Sequence, residues 1–371
     1  MNRDEQSVLL NTIASVGLST AGGGLHETSA EDWPWLRSRI LGHRLSGLAL
    51  ESCEQGVLRL PDENLTELRG LHRESMALAL RLEARLIEVA EALGGAGVDA
   101  TVLKGPAIAH GYYPHAGWRP FSDLDLLVDG EEWTTTTETL TELGFERELP
   151  EPRAGFDEQF GKAVSWTSGH VGIDLHRTLA AGPFGMWMKP DELRARREEF
   201  TLGGESFKRF DATGLLMHAC VHASLGWRPP LLLPLRDVIQ IASVESVDWD
   251  LLRSWSERWR LNAVLQHAFS TASGLLGTSL PDQAQTLLDV PVRTKELRAL
   301  EAYTTNRRQR GGTALATMQA IPGLRQRAKY ARSLALPNRE FLQARATEGE
   351  RASYLRRWMT PANWFLGRKH T

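Results

Sequence analysis

The residues of this chain best suited to chemistry are two aspartates that stand two positions apart. Asp123 and Asp125 lie within the segment Ser122-Asp-Leu-Asp-Leu-Leu-Val128. Because alternate residues of a strand share one face, a strand here would point both carboxylates the same way. Two carboxylates so close repel each other unless a cation or a proton lies between them. Mg²⁺ is the natural cation, since it prefers hard oxygen ligands and pairs with phosphates.

An element suited to binding an anion precedes these aspartates. The apolar run 98–103 predicts a short buried strand, which Lys104, Gly105 and Pro106 end. Gly105 permits a tight turn and the close approach of a ligand, and Pro106 suits the first position of a helix. Free amide groups at that helix start, with Lys104 at the same corner, suit a phosphate. A phosphate cradle followed by a two-carboxylate metal site is typical of enzymes that act on nucleotides.

The segment 102–128, with its hydrophobic–glycine turn and its Asp-x-Asp strand, resembles the nucleotidyltransferase superfamily. More narrowly, four short motifs resemble a poorly characterised bacterial nucleotidyltransferase-like family, some of whose members accompany peptide natural-product genes: LKGPA at 103–107, YYP at 112–114, R-x-x-SDLDLLV at 119–128 and IDLH at 173–176. The resemblance is specific over about residues 95–180. The superfamily usually has Gly-Ser or Gly-Gly where this chain has Gly105-Pro106, so Ser122 or Lys104 would have to replace the missing hydroxyl.

The resemblance implies transfer of a nucleoside monophosphate (NMP) from a nucleoside triphosphate (NTP) such as ATP, dependent on Mg²⁺ or Mn²⁺. Asp123 and Asp125 would hold the metals. Asp174 would supply a third carboxylate and help to deprotonate the acceptor, from a half-buried strand in which Val171, Ile173 and Leu175 alternate with polar residues. The acceptor group would be a hydroxyl, phosphate or amine of a peptide, a phosphorylated small molecule or, less favoured, a nucleic acid.

Other residues around these motifs are candidates for binding the nucleotide. Lys104, Gly105 and Ser122 would hold the triphosphate. Arg119 would either neutralise phosphate charge or serve the structure, and His176 shares a predicted strand face with Asp174. Both roles remain open for each of these two residues.

Alternative functions use the same residues differently. The fold could serve as an inactive scaffold within a biosynthetic complex, or as a toxin-like enzyme that modifies RNA or protein. An EF-hand is disfavoured because Leu127 and Val128 fill the positions where ligand oxygens belong. An aspartyl phosphatase is disfavoured because the apolar run follows the aspartates instead of preceding them.

Composition indicates a cytoplasmic globular protein. The 371 residues suffice for two or three packed units, and 42% apolar with 24% charged residues is ordinary. Two cysteines fit a reducing compartment and exclude a disulfide framework. No apolar run is long enough to span a membrane, and the N-terminus does not resemble a signal peptide.

The elements predict an α+β fold, with a mixed-sheet core over 96–180 between a helical region at 1–95 and another at 181–371. Leucines at helical spacing predict one long amphipathic helix from Leu65, ending near Gly94-Gly95. A hairpin is expected over 160–176. Residues 155–159 are expected in a loop, and 190–200 in a charged helix whose arginines face solvent.

Two further patterns carry hypotheses. His218 and His222 are four apart on a predicted helix, which suits zinc, a buried core role or a pocket role. Residues 303–371 hold 14 Lys and Arg against 3 Glu, a net charge of +11. This basic tail would be a solvated helical cap or would face an anionic acceptor, RNA or membrane surface.

Overall fold

The computed structural model describes residues 1–18, 24–227, 229–304 and 310–345. The described helices are α1 (Arg3–Ser15), α2 (Trp33–His43), α3 (Ser46–Glu54), α4 (Asp62–Gly95), α5 (Pro106–Tyr112), α6 (Trp133–Glu142), α7 (Phe156–Phe160), α8 (Gly182–Trp187), α9 (Pro190–Arg194), α10 (Ala212–Leu225), α11 (Leu232–Ala242), α12 (Trp249–Arg258), α13 (Asn262–Leu276), α14 (Asp282–Leu288), α15 (Thr294–Thr304), α16 (Arg310–Ala320), α17 (Leu324–Ala335) and α18 (Arg339–Ala344). The described strands are β1 (His26–Glu27), β2 (Leu58–Arg59), β3 (Thr101–Val102), β4 (Leu124–Leu127), β5 (Glu146–Arg147), β6 (Ala163–Ser168), β7 (Val171–His176), β8 (Arg197–Leu202) and β9 (Glu205–Phe210).

The central element is a five-stranded sheet in the order β3-β4-β7-β6-β5. Strands β4 and β7 run parallel, while the other neighbouring pairs are antiparallel. This mixed sheet between helical regions confirms the predicted α+β class. The register places Asp125 directly beside Asp174, and Asp174 directly beside Ser165 of β6.

The long helix α4 packs on one face of this sheet. It spans Asp62–Gly95, so its predicted end at Gly94-Gly95 is confirmed. Its leucines and valine share a buried cluster with the apolar residues of β4, β6 and β7; from the two sides the cluster includes Leu82, Leu86, Val89, Leu93, Leu124, Leu126, Ile173 and Leu175. Because side chains alternate along a strand, Asp125 and Asp174 lie on the opposite face, away from α4.

The helices before and after the sheet share a second buried cluster, which includes residues of α1–α3 and of α10–α15. Arg236 of α11 strengthens this junction, because its guanidinium donates to the carbonyl oxygens of Ala14 (2.7 Å) and Val16 (2.8 Å). These carbonyls lie at the C-terminal end of α1, where a helix has no further amide donors of its own.

The region 190–210 differs from the sequence-based expectation. The predicted charged helix is confined to α9 (Pro190–Arg194), and the antiparallel hairpin β8–β9 follows it. Gly203 and Gly204 form the turn with positive φ, which is a favoured arrangement for a two-residue hairpin. Phe200 and Leu202 alternate with polar residues on the buried face of β8, and Phe207 and Phe210 of β9 are also buried. The alternation at 200 and 202 was the overlooked strand signal.

The expected solvent-facing arginines of this region are also paired. Arg194 forms an ion pair with Asp129, and Arg197 contacts Asp99 at 2.6 Å. These pairs connect α9 and β8 to the segments that flank β3 and β4. The expectation of an entirely solvated charged face was therefore wrong.

Smaller corrections concern lengths and turns. The strand expected over 98–103 contains only β3 (Thr101–Val102), and the expected loop at 155–159 is the short helix α7 (Phe156–Phe160). The hairpin β6–β7 is confirmed, with its turn at Gly169-His170, where Gly169 has φ +59°. No helix in the described parts of the chain combines the length and apolarity needed to cross a membrane.

Candidate active site

Two neighbouring strands place the carboxylates of the site. Asp125 lies within β4 and Asp174 within β7, directly opposite each other in the parallel register. Asp123 precedes the first residue of β4, so it was wrongly assigned to the strand itself. Gly172 of β7 is a neighbour of Asp123, since a Cβ added to Gly172 would lie 4.0 Å from the Cβ of Asp123, in ordinary contact.

Asp125 is the most deeply buried carboxylate of the three, with 3% of its surface exposed. Its Oδ1 accepts hydrogen bonds from Lys104 Nζ at 2.7 Å and from His176 Nε2 at 2.9 Å. Burial alone would raise the pKa of Asp125, but Lys104 and His176 outweigh that effect and hold it well below its usual range. Asp125 is therefore an anion at neutral pH.

Donor atoms suited to a metal converge at this position. Ligand atoms of Asp125, Asp174 and His176 all lie within 4.8 Å of one another. Ser165 Oγ donates to Asp174 Oδ1 at 2.6 Å and fixes that carboxylate. The two carboxylates fit a divalent cation with a preference for oxygen, such as Mg²⁺ or Mn²⁺, and His176 supports them because its Nε2 donates to Asp125 Oδ1.

Asp123 lies beside this cluster in an electrostatic environment of its own. Burial raises its pKa, and the neighbouring charge of Asp125 raises it further, while Lys104 and Arg44 act in the opposite direction. Ser122 is exposed, and its hydroxyl lies 3.4 Å from Asp123 Oδ1. Asp123 and Ser122, both predicted as site residues, thus lie beside the cluster of Asp125, Asp174 and His176.

The glycine turn has the conformation that its sequence requires. Gly105 has φ +53° and ψ −117°, and Pro106 is the first residue of α5. A Cβ at position 105 would lie 3.3 Å from the Phe121 ring. This combination of positive φ and close packing requires glycine. The turn places Lys104 so that its ammonium reaches Asp125.

Arg119 contacts this turn, and its guanidinium donates three hydrogen bonds. Its guanidinium donates two hydrogen bonds to Asp237, from Nε at 2.8 Å and from Nη2 at 2.7 Å. Nη1 donates to the Gly105 carbonyl oxygen at 3.4 Å. Of the two roles left open by the sequence, the contacts of Arg119 are those of a structural residue.

Sequence reasoning missed two cations near the carboxylates. Lys162 immediately precedes β6, and its charge interacts with Asp123, Asp125 and Asp174. Burial and the neighbouring Lys104 lower the pKa of Lys162. Its ammonium forms no ion pair within the described residues. Its position before a strand that neighbours Asp174 was the available signal.

The second missed cation, Arg44, comes from the N-terminal helices. It follows α2 in the left-handed conformation, with φ +60° and ψ +44°. Its charge acts on Asp123, and among described residues it has no ion-pair partner. The following helix packs tightly on the segment before Ser122, since a Cβ at Gly47 would lie 2.0 Å from the Gly117 carbonyl oxygen. Nothing in the sequence around Arg44 indicates this neighbourhood.

The histidine pair of α10 lies behind the site. His218 is buried, its Nδ1 has no partner in the described structure, and its ring centroid is 6.4 Å from that of His222. Burial lowers the pKa of both rings, and the charge of Lys104 lowers it further. Both rings are therefore neutral at pH 7. They belong to the wall of the site and not to the cluster suited to a metal.

Comparisons with known proteins include a match to a family model and a match to a solved structure. A family model described as "Uncharacterised nucleotidyltransferase" matches residues 29–277. A crystal structure of an antigenic nucleotidyltransferase-like protein from Paracoccidioides brasiliensis matches with 15% identity and a TM-score of 0.33, over 62% of this chain and 97% of that chain. Among curated proteins, none has significant sequence similarity to this chain.

Proposed function

We propose that this chain, which belongs to the family of uncharacterised nucleotidyltransferases, transfers an NMP from an NTP to a nucleophilic group and releases pyrophosphate. The observation that carries the proposal is the convergence of Asp125, Asp174 and His176 beside the Lys104-Gly105 turn. In such a transfer the acceptor oxygen or nitrogen bonds to the α-phosphorus. The bond from that phosphorus to the bridging oxygen breaks, and pyrophosphate leaves.

Asp125 and Asp174 would hold the divalent cation, with Asp123 completing the carboxylate row. The bound cation would supply Lewis-acid stabilisation of the phosphoryl oxygens. The protein prepares this position by keeping Asp125 ionised through Lys104 and His176. Ser165 fixes the orientation of Asp174, as residues around metal ligands commonly do.

Five groups would bind the triphosphate. Lys104 and the Gly105 turn stand at the start of α5. Lys162 lies near the carboxylates without an ion pair in the described chain, and Arg44 acts on Asp123 from the N-terminal helices. A triphosphate carries more negative charge than a metal site alone neutralises, so unpaired cations beside the carboxylates would stabilise the bound donor. Ser122 is exposed beside Asp123 and would contribute a hydroxyl donor.

Proton transfer from the acceptor would fall to Asp174. Its carboxylate lies at the part-exposed end of the cluster, whereas Asp125 is buried and already accepts two hydrogen bonds. A base must reach the acceptor directly, so the more accessible carboxylate is the better candidate. His176 would orient Asp125, because it is fully buried and its Nδ1 lies 3.3 Å from the Thr178 carbonyl oxygen.

The deciding experiment is a thermal melt of the full chain against ATP, GTP, CTP and UTP, with and without Mg²⁺ or Mn²⁺. A ligand that binds only the folded state stabilises it and so raises the melting temperature. At a ligand concentration a hundredfold above Kd, the free energy of unfolding increases by about 2.7 kcal/mol. We expect one NTP to give a shift that requires the metal. We also expect transfer of label from an α-phosphate-labelled NTP to an acceptor.

The double variant Asp123→Asn/Asp125→Asn tests the assignment of the site. It should remain folded, lose the metal-dependent shift and lose NMP transfer. The matched control is Asp282→Asn/Asp289→Asn, which removes two exposed aspartates of the α14 region and should behave like the parent. Undiminished transfer by the Asp123/Asp125 variant would falsify the proposed site. No shift with any NTP in a well-folded parent protein would instead favour a non-catalytic binding module.

A further inference from the structure

One face of α17 carries a concentration of positive charge that the proposed reaction does not use. Arg325, Lys329 and Arg332 follow one another at spacings of four and three, which places them on one side of a helix. Together with Gln159, Gln326 and Ala328 they line an open groove of about 600 Å³. The helix itself contains no acidic residue.

The cations of this groove are not neutralised by neighbouring acids. Arg325 and Arg332 are exposed and form no ion pair within the described chain. Lys329 donates to Gln159 Oε1 at 2.9 Å, which is a neutral partner. Two carboxylates lie near Gly155 at one end of the groove. Glu158 Oε2 would lie 3.9 Å from a Cβ at Gly155, and Glu151 accepts a hydrogen bond from the Gly155 amide at 3.1 Å. Neither carboxylate forms an ion pair with a cation of the groove in the described chain, so the positive charge remains available.

The groove is fixed in place by an aromatic contact. Tyr330, on the opposite side of α17, is buried, stacks on Phe156 with ring centroids 6.0 Å apart and meets Phe160 edge-on at 5.4 Å. Asn338 adds a link after α17, because its backbone amide donates to the Pro152 carbonyl oxygen at 2.7 Å. The basic face therefore points outward from a rigid attachment.

The groove also lies close to the candidate active site. Gln159, which contacts Lys329, is three residues from Lys162, so their Cα atoms are at most about 11 Å apart. Lys162 in turn faces the three aspartates. The short segment 159–162 therefore links the groove to the surroundings of the carboxylates.

We propose that the basic groove of α17 binds an anionic peptide segment of the acceptor, with carboxylate or phosphate side chains, and presents it to the aspartate site. This inference rests on the proposed NMP transfer. Guanidinium groups suit carboxylates and phosphates, because they form paired, charge-assisted hydrogen bonds with them. Peptide is favoured over single-stranded RNA because none of the described residues that line the groove is aromatic, so bases would have no ring to stack on there.

Fluorescence anisotropy of labelled peptides on the full chain tests the proposal. The probes are a 12-residue Glu-rich peptide, a phosphoserine peptide of equal length and a 12-nucleotide oligouridylate. Arg325→Gln/Arg332→Gln should weaken binding of at least one peptide roughly tenfold, as expected for two lost surface charge contacts. The control Arg298→Gln/Arg339→Gln removes the same charge from exposed arginines elsewhere and should change it less than about twofold.

The two peptides distinguish carboxylate recognition from phosphate recognition. The NTP-dependent thermal shift separates peptide binding by the groove from the proposed NMP transfer. The groove variant should retain the parent's shift with NTP and metal, because Asp123, Asp125 and Asp174 are untouched. Equal losses in the groove variant and the control, no peptide binding by the parent, or oligouridylate binding as tight as peptide binding would each overturn the assignment. Absence of the NTP shift in the parent would count against the proposed reaction alone.

Discussion

Two buried aspartates of this chain have similar burial but different surroundings. Asp237 is 2% exposed and Asp125 is 3% exposed. Asp237 receives hydrogen bonds on both oxygens, with Arg119 bridging them and Tyr113 adding a third contact at 2.8 Å. Asp125 uses only Oδ1 for its two described side-chain partners, and two further carboxylates lie nearby.

The comparison distinguishes Asp237, whose ion pair with Arg119 stabilises the fold, from Asp125, which remains available to a ligand. Arg119 and Asp237 match in shape and charge, so the pair is complete as it stands. At Asp125 the cation is the compact ammonium of Lys104, which contacts one oxygen, and the repulsion between Asp125 and Asp123 raises the pKa of Asp123. A carboxylate cluster that retains such repulsion is suited to receiving a metal ion, since clustered like charges are costly to maintain otherwise.

The largest expected effect compares the same substitution at both aspartates. Asp237→Asn leaves the buried Arg119 guanidinium without its counter-ion and should lower the free energy of unfolding by about 3–5 kcal/mol. Asp125→Asn should cost no more than about 1–2 kcal/mol, because an amide oxygen still accepts from Lys104 and the repulsion from Asp123 falls. Urea denaturation followed by circular dichroism measures both values.

The NTP-dependent thermal shift should rank the two variants in the opposite order. Asp125→Asn is expected to abolish the NTP-dependent thermal shift, while Asp237→Asn, measured where it is still folded, keeps the three carboxylates and should retain part of it. If both variants lost stability equally and bound nucleotide equally, the distinction between the two aspartates would be wrong.

A smaller effect is expected at Gly105, where the two regions meet. Gly105→Ala forces a side chain into φ +53° and brings a Cβ to 3.3 Å from the Phe121 ring. We expect a loss of about 1–3 kcal/mol in stability, the usual cost of such a strained backbone, together with weaker NTP binding. Gly144→Ala is the matched control, since Gly144 also has positive φ but has open space around its Cβ. It should lose stability without losing NTP affinity.

The smallest effect is expected when the hydrogen bond from Ser165 to Asp174 is removed. Ser165→Ala removes the 2.6 Å hydrogen bond to Oδ1 and should lower NMP transfer or metal affinity about tenfold, as for other groups that orient metal ligands. Ser165→Thr keeps the hydroxyl and should recover most of that loss. Metal titration monitored by the melting temperature gives a readout that does not depend on the acceptor. Unchanged metal affinity and transfer in Ser165→Ala would contradict this role.

The sequence predicted the elements that have a strong period or a distinct turn. The long α4, the start of α5 at Pro106 and the β6–β7 hairpin were all found, because apolar spacing and proline or glycine positions determine them locally. Asp125, Asp174 and His176 were found through their motifs, and the structure brings their donor atoms together.

What sequence reasoning missed depends on contacts between distant segments. The pairing of Arg119 with Asp237 spans 118 positions, and the position of Arg44 near Asp123 depends on how α2 and α3 pack. Neither contact has a local signature. The hairpin β8–β9 was missed for a different reason. Its charged residues suggested a helix, whereas the alternating Phe200 and Leu202 and the Gly203-Gly204 turn indicated strands.

The distance between Arg119 and its counter-ion also has a consequence for how the chain is made. During synthesis the β4–β7 strands emerge well before α11, so the Arg119 guanidinium lacks its carboxylate partner until Asp237 has left the ribosome. A nascent chain that ends before α11 should therefore lack an ordered donor pocket even though every metal-ligating residue is present. Nucleotide binding would then begin only once Asp237 has paired with Arg119, and nucleotide binding by nascent chains of increasing length would test this order.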